Sequence, residues 1–220
     1  MVSAAFKALS DLASRDFRAV LWSSIGLTLI LFLAVFAAVQ AMFWFLTFVP
    51  WPWVETLIAV GAGLGLLVLF FFLMAPVTSL FAGLYLDRVA GLVENRHYEQ
   101  DTPGEPLSGF RAIGISLQFG LLVLMCNILA LPLVFMGFGV VVLFVINAYL
   151  ISREYFEMVA MRFMAPDDAK ALRKLNGARI FVAGFLPAIL SAVPILNLAV
   201  PLFATSYFVH IFKQVQRSSA

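Results

Sequence analysis

Apolar and polar residues alternate along this chain in long blocks, and the last apolar block is the most informative. It runs without a formal charge from Ile180 to Phe212, with Arg179 before it and Lys213 after it. A helix needs roughly 20 residues to cross the ~30 Å hydrocarbon core of a bilayer. The block is therefore too long for one straight crossing and too short for two, which predicts that it folds back on itself.

Prolines and an asparagine mark the place where this block should turn. Pro194 and Pro201 interrupt it, and Asn197 lies between them. Basic residues close both ends of the block and favour the cytoplasmic side of a membrane. We therefore predict a re-entrant hairpin over residues 180–212 that turns near Pro194 to Asn197. Asn197 would either bond to backbone groups that the prolines leave free or line a permeation path.

The N-terminal block, residues 3–18, has the three- and four-residue periodicity of an amphipathic helix that lies in the membrane interface. Asp16 departs from its polar face, which indicates a break and a candidate N-cap for the next helix. The apolar face carries Ala5, Phe6, Leu9, Leu12, Ala13 and Phe17, and the polar face carries Lys7, Asp11, Ser14, Arg15 and Arg18.

Three more apolar stretches separate the polar blocks. Residues 19–49 and 54–86 are each long enough to predict a full transmembrane helix. Pro76 should kink the second of these and free a backbone carbonyl. Residues 112–152 carry no charge and have Pro132 near their centre, so they fit either two short spans or a second membrane-dipping hairpin. These patterns predict an all-α integral membrane protein.

Composition and charge placement favour the same class of protein. Hydrophobic residues make up 63% of the chain, charged residues 12%, and the mean hydropathy is +1.03. Soluble domains of this size do not have that composition, so we expect one membrane domain over residues 1–220. All lysines and arginines fall in the polar blocks, which predicts a multi-pass protein with both termini in the cytoplasm. The net charge of only +2 says little about partners. We expect no nucleic-acid partner.

Few side chains have the types and spacing that catalysis or metal binding needs. The single cysteine, Cys126, supports no disulfide, and His97 and His210 are far apart in the sequence without a local carboxylate partner. We therefore expect no metal site, no cofactor and no enzymatic activity. Arg153 and Glu154 stand at the inner mouth of an apolar stretch, where they would form either part of a vestibule or a solvated pair on a helix.

Two short motifs carry a resemblance to a known family. Residues 72–77 read Phe-Leu-Met-Ala-Pro-Val, and residues 193–197 read Val-Pro-Ile-Leu-Asn after a basic helix. In order and spacing the chain resembles the CysZ-type sulfate permeases, which share a superfamily with the etoposide-induced membrane proteins. The resemblance implies two full transmembrane helices, membrane-dipping helix hairpins and a homo-oligomer in the bacterial inner membrane. It also implies uptake of sulfate for cysteine synthesis.

The resemblance also implies an anion site just before the first span, in a Pro-Gly-Leu-Arg-Arg type of motif. In residues 15–19, Phe17 matches the apolar position and Arg18 matches the first arginine. Asp16 stands in place of the glycine and Ala19 in place of the second arginine, and an aspartate there would compete with an anion for backbone N–H groups. Arg18 is then either an anion ligand or an arginine that snorkels to the interface.

Two functions follow from these observations. The first is an inner-membrane anion permease whose substrate is sulfate or a similar oxyanion. The second is a membrane structural or assembly protein of the same superfamily that does not transport. Either protein would have the lipid bilayer as a partner.

Overall fold

α-Helix is the regular secondary structure of the part of the chain that the computed structural model describes, with no strand in that part. The described residues are 1–46, 60–61, 65, 85–107, 109–135, 139–197 and 199–219. For these residues the all-α prediction is confirmed. The helices are α1 (Val2–Leu12), α2 (Arg15–Leu46), α3 (85–97), α4 (Gly109–Phe135), α5 (Gly139–Ala160), α6 (Pro166–Leu175), α7 (Gly177–Ser191), α8 (Pro194–Asn197) and α9 (Val200–Ser219).

The predicted helix over residues 3–18 is divided into two. Helix α1 ends at Leu12, and α2 begins at Arg15, so the break precedes Asp16. The side of α1 that is buried is also not the predicted apolar face. Ala4, Ala8 and Asp11 are buried, whereas the larger Phe6 and Leu9 of the apolar face are exposed. Small side chains allow α1 to pack closely on α9 and leave its bulky apolar face uncovered.

Helices α7 and α9 lie side by side in opposite directions. Near the start of α7, Arg179 donates from Nη2 to Gln214 Oε1 and from Nη1 to Ser218 Oγ, both at 3.3 Å, and both partners lie near the end of α9. The chain reverses between these helices through the four residues of α8. Pro201 occupies the first turn of α9, where a missing backbone N–H costs nothing.

The tightest helix contact joins α5 to α7. A Cβ placed on Gly184 would overlap the carbonyl oxygen of Ala148 and lie 2.7 Å from Ser152 Cβ. Only glycine permits this approach. Aromatic rings extend the interface, with Phe144 packed against Phe185 at 5.7 Å between centroids.

The predicted transmembrane segments stay predictions. No helix in the described part of the chain combines the length and the hydropathy that a membrane span requires. The segment predicted at 19–49 overlaps α2, which ends at Leu46. The one predicted at 54–86 lies outside the described residues except for 60–61, 65 and 85–86, and Pro76 is outside them as well.

Candidate functional site

A cavity of about 450 Å³ opens between the start of α2 and the end of α3. It adjoins the motif at residues 15–19 that the sequence singled out. Its lining combines an acid, a base, an amide and a hydroxyl with two apolar side chains: Ser14, Asp16, Phe17, Leu92, Asn95 and Arg96. Such a mixture can hold a small polar solute in a defined orientation.

The start of α2 supplies one wall of this cavity. Ser14 stands just before the helix, and its hydroxyl accepts a long 3.5 Å bond from the backbone N–H of Phe17. This is the geometry of an N-cap, so Ser14 rather than Asp16 takes that role. Asp16 lies in the first turn, where its negative charge complements the helix dipole. Phe17 is buried and lines the cavity, whereas Arg18 is exposed and lies outside the lining set.

The end of α3 supplies the opposite wall and the cavity's positive charge. Arg96 lines the cavity, and its Nη1 lies 3.6 Å from Asp11 Oδ1, with 45% of the arginine side chain exposed. Asn95 adds an amide from the same helix. The cavity therefore has one positive charge, Arg96, which also pairs with Asp11, and one negative charge, Asp16.

Behind Arg96 lies a cluster of polar groups around Asp11, which is fully buried. His97 Nε2 lies 2.8 Å from Asp11 Oδ1, His210 Nε2 lies 3.4 Å from Oδ2, and Ser206 Oγ donates to Oδ2 at 2.7 Å. Burial is the largest single influence on this carboxyl and opposes its ionisation. The hydrogen bonds from His210, His97 and Ser206 together outweigh burial and hold the pKa of Asp11 below its usual range.

Tyr98 completes the cluster on the far side of His210. Its hydroxyl lies 2.8 Å from His210 Nδ1. Burial raises the pKa of Tyr98 to about 12, so the phenol stays protonated at physiological pH and can either donate or accept a hydrogen bond. The histidine is therefore bonded at both of its ring nitrogens.

A buried arginine holds α3 and the loop after it in place. Arg162, which follows α5, donates to both carboxylate oxygens of Glu94 at 3.2 Å and also pairs with Asp87. It donates to the carbonyl oxygen of Gly104 at 3.2 Å, while the Gly104 N–H donates to Glu94 Oε2 at 3.0 Å. A Cβ on Gly104 would lie 2.9 Å from the Phe163 ring, so a larger residue in this loop would have to displace that ring. The network fixes the helix that carries Arg96 and His97.

The predicted vestibule residues point to different environments. Arg153 is partly exposed, and its Nε lies 3.8 Å from Glu157 Oε1, although Glu157 is closer to Arg173 Nε at 2.6 Å. Glu154 is buried, and no described group hydrogen-bonds its Oε1. Burial raises the pKa of Glu154 well above its ordinary value. Arg153 thus belongs to a partly exposed ion-pair group, and Glu154 lies in the interior, so a shared vestibule role stays a prediction.

The residues predicted at the hairpin turn lie in and after α8. Pro194 begins α8, and Asn197 ends it as a half-buried residue whose backbone N–H donates to Val193 O at 2.8 Å. The carbonyl of Pro201, in α9, accepts a 2.7 Å bond from Thr205 Oγ1. A pore role for Asn197 stays a prediction.

Sequence reasoning missed the polar cluster and the arginine network. His97 and His210 are distant in the sequence, but α3 and α9 bring their rings to 4.9 Å between centroids. Asp11 was assigned to the polar face of a surface helix, yet it is fully buried. The one available signal was the position of His210 inside an otherwise apolar run, since a polar side chain there needs a buried partner.

Comparison with known proteins agrees with the resemblance found in the sequence. The family described as Sulfate transporter CysZ/Etoposide-induced protein 2.4 matches residues 4–201. No curated protein matches the chain. At the family level this match supports sulfate transport and a membrane location. Because it covers most of the chain, the protein belongs to the Sulfate transporter CysZ/Etoposide-induced protein 2.4 family.

Proposed function

We propose that the protein is an anion permease of the bacterial inner membrane that takes up sulfate for cysteine synthesis. The observation that carries this proposal is the family match over residues 4–201. We further propose that the chain forms one membrane domain, that it assembles as a homo-oligomer, and that both termini lie in the cytoplasm. It would act without catalysing a reaction.

Exposed apolar side chains support the membrane part of the proposal. Helix α4 leaves a row of large side chains uncovered at three- and four-residue spacing, namely Leu117, Leu121, Met125, Ile128 and Leu129. Helix α2 does the same with Trp22, Ile30, Leu33 and Phe36. Contiguous apolar surface of this kind is unfavourable in water and favourable against lipid. The exposed Phe6 and Leu9 of α1 suit a helix in the interface.

The cavity beside α2 supplies groups that recognise a tetrahedral oxyanion. The guanidinium of Arg96 can donate two parallel hydrogen bonds to such an ion, and Asn95 can add a third. Free backbone N–H groups at the start of α2 favour negative charge. Asp16 opposes an anion at the same place, so its substitution should strengthen binding. An existing ion gradient would drive the flux.

Sulfate flux into liposomes tests the proposal directly. Radiolabelled sulfate should enter vesicles that contain the pure full-length protein faster than empty vesicles, and unlabelled selenate should compete because it has the same shape and charge. Arg96→Gln should lower the flux about 10- to 100-fold, since a hydrogen bond to a charged group is worth about 1.5–3 kcal/mol. Asp16→Asn should raise it.

Arg88→Gln is the matched control, because Arg88 is an exposed arginine of the same helix that does not belong to the cavity lining. It should transport like the unchanged protein. Arg18→Gln decides between the two roles of Arg18: loss of flux identifies an anion ligand, and unchanged flux identifies an interface arginine. Sulfate flux equal to that of empty vesicles at every pH tested would overturn the proposal.

The second candidate is a membrane assembly protein without transport activity. The observation that favours it is Asp16, which places a negative charge in the cavity at the position where the family motif has glycine. Absence of sulfate flux together with a stable stoichiometric partner in crosslinking experiments would support this second function.

A further inference from the structure

The Asp11 cluster brings three metal-binding side chains together from three helices. Asp11 belongs to α1, His97 to α3 and His210 to α9. One carboxylate oxygen and one nitrogen from each ring lie within 4.8 Å of one another. Ligands around tetrahedral Zn²⁺ lie about 3.3 Å apart, given metal–ligand bonds of about 2.0–2.1 Å. The longest of these separations would therefore have to shorten by up to about 1.5 Å to complete the geometry.

We propose that Asp11, His97 and His210 bind one divalent transition-metal ion, and that Zn²⁺ suits this set best. Two imidazoles and one carboxylate are a common ligand set for zinc, with a fourth position left for water. Asp11 and His210 are fully buried, whereas the His97 side chain is 19% exposed. The open side at His97 gives the ion and its water a path from solvent.

The groups that surround the cluster are those that orient metal ligands. Tyr98 Oη lies 2.8 Å from His210 Nδ1, so with the ion bound a proton on Nδ1 can be donated to the phenol, which leaves the Nε2 lone pair to coordinate the metal in place of the bond to Asp11. Ser206 Oγ donates to Asp11 Oδ2 at 2.7 Å and fixes the carboxylate. A metal site needs partners of this kind on its ligands.

Positive charges near the cluster oppose the ion and set its affinity. Arg96 is the nearest, with Nη1 3.6 Å from Asp11 Oδ1, and its 45% exposure allows it to turn towards solvent. Lys213 is held 3.1 Å from Asp101 Oδ2, which neutralises its charge locally. Lys7 lies over the Tyr98 ring at 5.8 Å. Because these cations repel a metal ion, the site has to hold the ion through coordination bonds rather than through net negative charge.

X-ray absorption at the zinc edge tests the proposal without any substitution. The full-length protein would be purified without a histidine tag, stripped with chelator, and loaded with one equivalent of Zn²⁺. Because the chain has only 2 histidines, a spectrum with two imidazole ligands identifies His97 and His210. A spectrum with one imidazole or none would overturn the proposal, as would failure to retain zinc after gel filtration.

Substitutions then measure each contribution by competition between Zn²⁺ and a fluorescent chelator. His97→Gln should weaken zinc binding by more than about 100-fold, and Tyr98→Phe by about 10- to 100-fold, which is the usual effect of losing an outer partner. Asp168→Asn, an exposed carboxylate on α6, is the control and should bind zinc unchanged. Equal affinity in the His97→Gln and unchanged proteins would contradict the assignment. The spectrum of the unchanged protein decides the matter if a variant does not fold.

Discussion

Two regions of this molecule hold buried carboxyl groups in opposite ways. At the end built from α1, α3 and α9, each buried acid has several partners: Asp11 contacts two histidines and a serine, and Glu94 binds Arg162 through both oxygens. At the α5–α7 end, Gly184 allows close backbone contact, but no described group hydrogen-bonds Glu154 Oε1.

The difference teaches that a buried acid can be accommodated in two ways, by charged and polar partners or by loss of its charge. A buried charge is tolerated when it is paired, and removal of one partner is then costly. A buried acid without a partner relieves its cost by staying protonated. The candidate functional groups lie in the paired region, where the geometry is set most tightly. Three substitutions test this contrast: the first two should destabilise the protein, the larger effect first, and the third should stabilise it.

Arg162→Met should be the most damaging change. It leaves the buried carboxylate of Glu94 without its charged partner, although the Gly104 N–H still donates to it, and the Gly104 carbonyl loses the guanidinium donor. This change should cost about 3–5 kcal/mol in the free energy of unfolding. Thermal unfolding in detergent would measure the loss. Arg153→Met, which affects a partly exposed pair at 3.8 Å, should cost less than about 1 kcal/mol. Equal losses in the two variants would refute the special role of the paired region.

Gly184→Ala should cause the next largest loss of stability, because its new methyl group would overlap Ala148 O and push α7 away from α5. Overpacking of this kind costs about 1–3 kcal/mol. Gly177→Ala, at the start of the same helix, meets no atom within 4 Å among the described residues and should be neutral or slightly stabilising. The comparison uses the unfolding midpoints of both variants, and a Gly184→Ala protein as stable as the control would show that the helices can separate freely.

Glu154→Gln should have the opposite sign and should stabilise the protein. Since burial raises the pKa of Glu154 in the folded protein, the unchanged protein loses stability as pH rises above the ordinary glutamate pKa, by about 1.4 kcal/mol per pH unit until the folded pKa is reached. The variant should therefore be more stable at pH 7 and equally stable near pH 4.

Glu157→Gln is the control for this pH dependence, because Glu157 lies on the same helix but is paired with Arg173 at 2.6 Å. It should show no gain at pH 7. A Glu154→Gln protein whose stability follows that of the unchanged protein from pH 4 to pH 8 would mean that Glu154 is ionised and paired after all.

The sequence predicted those features that depend on neighbouring residues. Helical class follows from the periodicity and length of the apolar blocks. The break before α2 was expected close to its actual position, although Ser14 rather than Asp16 caps the helix. Each of these features is determined by residues within a few positions of it in the sequence.

The polar cluster and the arginine network could not be predicted in the same way. Glu94 and Arg162 are 68 positions apart, and Asp11 and His210 are 199 apart. No local pattern specifies such pairs, and periodicity placed Asp11 among solvated residues because it treats every charged side chain as exposed. The packing partner of α1 could not be predicted either, because small alanines rather than bulky apolar side chains form its contact surface.

The docking of α1 on α9 has a consequence for biosynthesis. Asp11 is translated 199 residues before His210, so at roughly 5–20 residues per second its final partner leaves the ribosome about 10–40 s later. During that interval water has to take the place of His210 at the carboxylate of the nascent α1. Maturation of the site beside Arg96 is therefore a late event, completed only after α9 has been released.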